Sequence, residues 1–121
     1  MSRAARTVYV FAIYLALLAL TLLLAPNVPL RFFGLPETTE VWVRVVGMLL
    51  GFLALYYYVA VRTESRPIMW ASVLARLSVP AFFTVFVIAG WVDWPLILFG
   101  VVDAAAAAWT WSALRGSPAA T

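Results

Sequence analysis

The sequence predicts an all-α membrane protein: a four-transmembrane-helix bundle with both termini in the cytoplasm. Three observations predict it. Of the 121 residues, 66% are hydrophobic and 11% charged, with a mean hydropathy of +1.03; a soluble domain this small exposes too much surface for that composition. The apolar residues gather into four runs, each long enough to cross the ~30 Å hydrocarbon layer. Most arginines and all six tryptophans fall near the ends of those runs, in a consistent two-sided order. Residues 1–121 read as one integral membrane domain.

The first run, residues 7–25, follows Arg3 and Arg6. A charged start before an apolar run also describes a signal peptide, but this run is long and no A-x-A site follows it, so a retained helix is expected. The connector, residues 26–40, carries Pro26, Pro29, Pro36 and Gly34, which forbid a regular helix through it. It is apolar for a loop. One reading lays it in the headgroup layer, with Phe32, Phe33 and Leu35 dipped into lipid and Arg31 toward phosphate; the other makes it a lid over a cavity between the helices.

The second run, residues 41–61, has Thr38 or Thr39 as cap and Glu40 at the positive end of its dipole. Its Gly47-Met-Leu-Leu-Gly51 is a G-x-x-x-G, which lets another helix come close, from this chain or a second copy. The third run, residues 68–90, has Ser65 as cap and Pro67 in its first turn. Pro80 lies mid-span, where it frees the Arg76 carbonyl and predicts a kink. The fourth run, residues 94–114, has Asp93 as cap, Arg115 and Gly116 at its end and Pro118 beyond, before a frayed tail at residues 117–121. Gly100, Ala104 and Ala108 form a close-packing stripe around Asp103, with Ala105, Ala106 and Ala107 leaving the far side nearly bare. Short connections make the last three spans antiparallel neighbours.

All eight basic residues are arginine and the net charge is +3, giving a pI near 9.8. There is no basic stripe, so no nucleic-acid partner is expected; the arginines are orientation signals and contacts to the bilayer. Arg3, Arg6, Arg62, Arg66 and Arg115 fall on one side, and Arg31 with Glu37, Glu40 and Asp93 on the other. The positive-inside rule then puts both termini in the cytoplasm. Trp42, Trp91 and Trp94 mark the outer ends of spans, and Trp70, Trp109 and Trp111 the inner ends, joined by Tyr57 and Tyr58.

The chain has no Cys and no His. That removes disulfides, thiol chemistry, His-ligated haem and the common zinc and iron sites. No catalytic residue, metal ligand or cofactor is expected. The intramembrane polar candidates are Asp103, Arg76, Arg44, Ser72 and Tyr56. Asp103 lies roughly 13 Å into the fourth span, and Arg76 roughly 12 Å into the third from the opposite face. An unpaired charge there costs about 2.5–3.5 kcal/mol, so an Arg76–Asp103 ion pair is expected. Arg44 either snorkels to headgroups or reaches down to Asp103. Ser72 sits one turn before Arg76. Tyr56 and Tyr14 are deep enough to donate to the pair, or simply pack in the core. Ser78, Thr84, Thr21 and Thr110 can bond to their own helix backbone. The pair either fixes helix register or binds a polar substrate group, a lipid head or a proton.

The connector Pro26-Asn-Val-Pro-Leu-Arg-Phe-Phe-Gly-Leu-Pro36, the Arg44-x-x-Gly47 start of the second span and Gly100-Val-Val-Asp103 with its Trp-rich end resemble small bacterial four-helix inner-membrane proteins, loosely DoxX-like. The resemblance implies a four-helix bundle in a bacterial inner membrane and carries no catalytic residues. Three function classes follow, of which a non-enzymatic subunit or scaffold is the expected one and the other two are alternatives. A non-enzymatic subunit or scaffold would pack through Gly47, Gly51 and the Gly100–Ala104–Ala108 stripe, in a homo-oligomer or a larger membrane complex. A small transporter or channel would use Asp103 and Arg76 as an oligomer. A lipid- or quinone-binding protein would use the connector as lid. An enzyme is not expected, since acid–base work would rest on one carboxyl. The topology is open to a direct check: a cysteine replacing Ser2 should resist an impermeant thiol reagent in intact cells, and labelling there would invert the orientation.

Overall fold

The computed structural model describes residues 1–116, so the expected frayed tail and Pro118 lie outside the described residues. Every regular element is helical among them: α1 (Arg3–Leu24), α2 (Asn27–Phe32), α3 (Val41–Arg62), α4 (Arg66–Ile88) and α5 (Leu96–Gly116). The four long helices have 22, 22, 23 and 21 residues and are apolar enough to cross a membrane. The protein is a multi-pass helical bundle, as the sequence predicts.

Local chemistry sets the helix ends. Ser2 Oγ accepts from Ala5 N at 3.0 Å and caps α1. Ser65 takes the N-cap position expected of it, whereas neither Thr38 nor Thr39 takes that of α3 and Asp93 makes no capping side-chain bond to α5. Glu40 and Ser65 hold the N-cap positions without side-chain hydrogen bonds. Before α5, Pro95 disfavours helical backbone at Trp94, and the chain first turns through 93–95. Gly34 and Gly90 adopt φ of 74° and 78° and end α2 and α4 with paired 6→1 and 5→2 backbone bonds. Glu64 ends α3 in the same way at φ 49°, a place usually taken by glycine. Its carboxylate accepts from Ser2 N at 2.9 Å and Ser2 Oγ at 2.7 Å, tying the α3–α4 turn to the start of α1.

The long helices form two closely packed pairs, α1 with α3 and α4 with α5, joined mainly through α1 and α5. The expected neighbours α3 and α4 touch little despite their short turn. Glycines explain where the pairs close. A Cβ on Gly47 would stand 2.9 Å from Leu22 Cβ and 3.0 Å from the Ala19 carbonyl. A Cβ on Gly100 would stand 2.9 Å from Pro80 Cα. α4 runs unbroken through Pro80, which presents this bare edge to Gly100.

The α5 stripe differs from the expected one. Gly100, Ala107, Thr110, Ala113 and Leu114 are buried, whereas Ala104 is half-buried and Ala108 exposed. Fixed four-residue steps drift about 40° each around a 3.6-residue helix, so Ala108 leaves the seam and Ala107 enters it. All six tryptophans are exposed on the bundle surface. The inner aromatic belt loses Tyr57, which is buried against Phe11, while Tyr58 stays exposed.

Proline was expected to keep the connector irregular, yet Asn27–Phe32 is helical. Pro26 precedes the helix and Pro29 lies in its first turn, where a missing N–H costs nothing. Leu35 turns into the bundle rather than toward lipid, and Phe33 packs against Phe99 with ring centroids 4.2 Å apart, while Phe32 is exposed as expected.

Two outcomes check this packing. Gly47→Ala and Gly100→Ala should each lower stability by about 1–3 kcal/mol in thermal unfolding, whereas Gly51→Ala, with Ala19 Cβ 3.7 Å away, should be neutral or gain up to ~1 kcal/mol from helix propensity. The two bonds from Ser2 hold the Glu64 carboxyl below the usual carboxylate range. Its contribution is therefore full above about pH 4.3 and lost as pH falls through its lowered folded value. Glu64→Gln should remove that acid-side loss, an effect well under ~1 kcal/mol because the site is open to water.

Candidate functional site

The terminal end of the bundle, where α1 and α4 begin and α5 ends, is dry and close-packed. Arg76 is buried there with 3% exposure. Its Nε donates to the Ser72 carbonyl at 3.2 Å, and its Nη2 donates to Ser72 Oγ and Thr110 Oγ1, both at 3.0 Å. The guanidinium lies over the Phe11 ring, 4.6 Å from the centroid, which adds a cation–π attraction. Thr110 Oγ1 also lies 2.7 Å from Thr7 Oγ1. Neutral oxygens of α4 and α5 thus hold one cation, while α1 supplies the Phe11 ring face and backs Thr110 with Thr7. Nη1 is the one buried side-chain nitrogen without a partner among the described residues.

The expected Arg76–Asp103 ion pair does not form. Among the described residues the one ion pair joins Arg31 and Glu37 at 2.9 Å. The reason is side-chain direction: Cα–Cβ bonds point toward a helix's N-terminus. α4 and α5 are antiparallel, so two residues at similar backbone depth project away from each other. Arg76 drops one turn to Ser72, and Asp103 turns the opposite way. The two stay within electrostatic reach, as do Tyr14 and Tyr57 of Asp103.

Asp103 faces a cavity of about 260 Å³ in the other half of the bundle. Tyr14, Leu50 and Asp103 form its floor, and Leu18, Leu22 and Phe99 its walls. Pro29 and Leu30 of α2, with Leu35, form its roof. The connector therefore has the lid arrangement. Val43 and Val46 of α3 and Phe83 of α4 also line it, and Val46 is 49% exposed, so the cavity is open where α3 and α4 fail to close. Asp103 is half-buried and makes no hydrogen bond or ion pair within the protein among the described residues.

The other candidates sort plainly. Ser72 is part of the Arg76 cradle and donates to the Met69 carbonyl at 2.7 Å. Arg44 does not reach Asp103; its Nη1 donates to the Leu23 carbonyl and so caps the end of α1. Beside it, residues such as Asn27, Arg31 and Thr38 line a polar surface cleft. Tyr56 is 62% exposed and takes no part, because the neighbouring Tyr57 occupies the inward position. Ser78, Thr84 and Thr21 bond to their own helices, as expected. Thr7 and the cross-helix role of Thr110 are additions. Their signal was available: Thr110 lies six residues before the end of α5, and Ser72 six after the start of α4, at the same end of the bundle.

Scans against protein-family models, curated proteins and solved structures find no match for this chain.

Removing the cradle should cost more than removing the acid. Thr110→Val takes a hydrogen bond from a buried cation and should destabilise by about 1–3 kcal/mol. Asp103→Asn should cost less. In double-mutant cycles the coupling of Arg76 to Thr110 should exceed that of Arg76 to Asp103; the reverse order would restore the ion pair.

Proposed function

We propose that this protein binds a lipid-like or quinone-like molecule in the cavity beneath α2, as a non-enzymatic membrane component. The observation that carries the reading is an apolar, laterally open cavity with one unpartnered carboxyl at its floor and a short helix as its roof. Binding pockets commonly combine apolar walls with few polar anchors. A cavity of about 260 Å³ exceeds the roughly 150 Å³ that holds a benzene ring, so a ring system or a chain segment of about ten carbons fits.

The alternatives have less to stand on. Gly47 and Gly100 make their close approaches within the chain, to α1 and Pro80, so a scaffold or oligomer would use other faces. A transport path through Asp103 and Arg76 meets a sealed cradle, since Arg76 is 3% exposed. Residence in a bacterial inner membrane, cytoplasmic termini and kinship with DoxX-like proteins belong to the same proposal and rest on the sequence pattern alone.

Protein purified from its membranes should carry about one small apolar adduct per chain in native mass spectrometry. Leu18→Trp, which fills the cavity, should fold and lose it. Wild-type protein that is bare, or Leu18→Trp with an undiminished adduct, would contradict the reading.

A further inference from the structure

The polarity of the cavity runs opposite to that of a bilayer leaflet. Its roof, nearest the connector end and hence the membrane surface, is Pro29, Leu30 and Leu35. Its polar groups, Asp103 and Tyr14, are at the floor, near the middle of helices that span the bundle. A phospholipid entering from that leaflet would bring its chain ends against the carboxyl and leave it without a donor. A buried polar group without a partner is costly, and a charged one more so.

Resting on the binding role proposed above, we infer that the occupant is a neutral amphiphile carrying a hydroxyl, held upside down relative to bilayer lipids. Its O–H donates to the Asp103 carboxylate, and its chain rises past Leu18 and Leu22 or leaves between α3 and α4. Three observations select that chemistry. Asp103 makes no ion pair or hydrogen bond within the protein among the described residues, so its oxygens are free to accept from a ligand. Arg76, within electrostatic reach, already supplies one positive charge for the carboxylate, and has no carboxylate of its own within ion-pair distance. A cationic ligand would leave an excess charge at mid-membrane, where charge is expensive; a hydroxyl satisfies the carboxylate and adds none. Apart from the Tyr14 phenol beside Asp103 the lining is apolar, and Val46 and Phe83 leave room for an apolar chain at the open seam.

The test uses the full chain in lipid nanodiscs and three probes of equal chain length: decan-1-ol, decyl methyl ether and decylammonium, titrated by native mass spectrometry. The alcohol should bind the wild type at least about tenfold more tightly than the ether, which has the same chain and no donor. It should also bind more tightly than the ammonium. Asp103→Leu should lower alcohol affinity to the level of the ether on the wild type. Should that variant not fold, Asp103→Asn, which keeps the shape and loses the charge, should cut the alcohol preference to about threefold or less. Tyr56→Phe, on the lipid-facing surface, should change neither affinity. Equal binding of alcohol and ether would overturn the hydroxyl anchor while leaving the cavity role intact. Tighter binding of the ammonium would overturn the neutral ligand. If no probe binds, the cavity role fails and this inference with it.

Discussion

A guanidinium buried inside an apolar bundle must find oxygen, and here it finds it in hydroxyls and a carbonyl rather than in an acid. Arg76 is bonded by Ser72 on its own helix and Thr110 on α5, with Thr7 of α1 behind Thr110 and Phe11 of α1 across the guanidinium face. Three of the four long helices meet at this cation, so its placement sets their register at the terminal end. Such an arrangement specifies packing more than it stabilises, because desolvation offsets much of what the hydrogen bonds return. Its second consequence concerns Asp103. With Arg76 held elsewhere, the one acid within the spans is left to face a cavity.

The two halves of the bundle therefore differ in kind. In the terminal half, small and medium side chains such as Ala4, Ala5, Val8 and Ala107 are fully or almost fully buried. That part behaves as a rigid base. In the connector half, the buried residues of α4 run out after Arg76; beyond it the helix touches its neighbours through Gly100 and half-buried side chains such as Phe83. Loose packing there keeps the seam with α3 open, while the dry base holds Asp103 and Tyr14 in place. The connector closes the top through Pro29 and Leu30 of α2 and Leu35 beyond it, and is pinned where Phe33 packs against Phe99. Binding and rigidity are thus assigned to opposite ends of the same four rods.

Much of the architecture was legible in the sequence, because hydropathy over 20 residues is a strong signal and proline, glycine and serine mark the breaks. What was not legible depended on direction around or along a helix. Counting residues placed Asp103 and Arg76 at like depth, but depth of Cα says nothing of where antiparallel side chains point. A strict four-residue stripe picked Ala108 where the alternating seam needs Ala107. Tyr56 and Tyr57 are adjacent, and only one can face α1. The connector was readable as either surface loop or lid, and its prolines masked a helix that places them at its very start. A lone threonine usually serves its own backbone, which is the role the sequence suggests for Thr110 and which gives Thr7 no distinction; the distance Thr110 shares with Ser72 from one end of the bundle is what marks its cross-helix role.

The most direct measurement is a dipolar distance by solid-state NMR in lipid bilayers, between ¹⁵N in the Arg76 guanidinium and ¹³C in the Asp103 carboxyl, with Asp93→Asn to leave one aspartate signal. Guanidinium held in the hydroxyl cradle predicts contact with the Thr110 side chain and no carboxyl carbon within ion-pair range. A separation under about 4 Å between the Asp103 carboxyl and an Arg76 nitrogen would contradict it, because the acid would then be spoken for and the cavity would have no anchor.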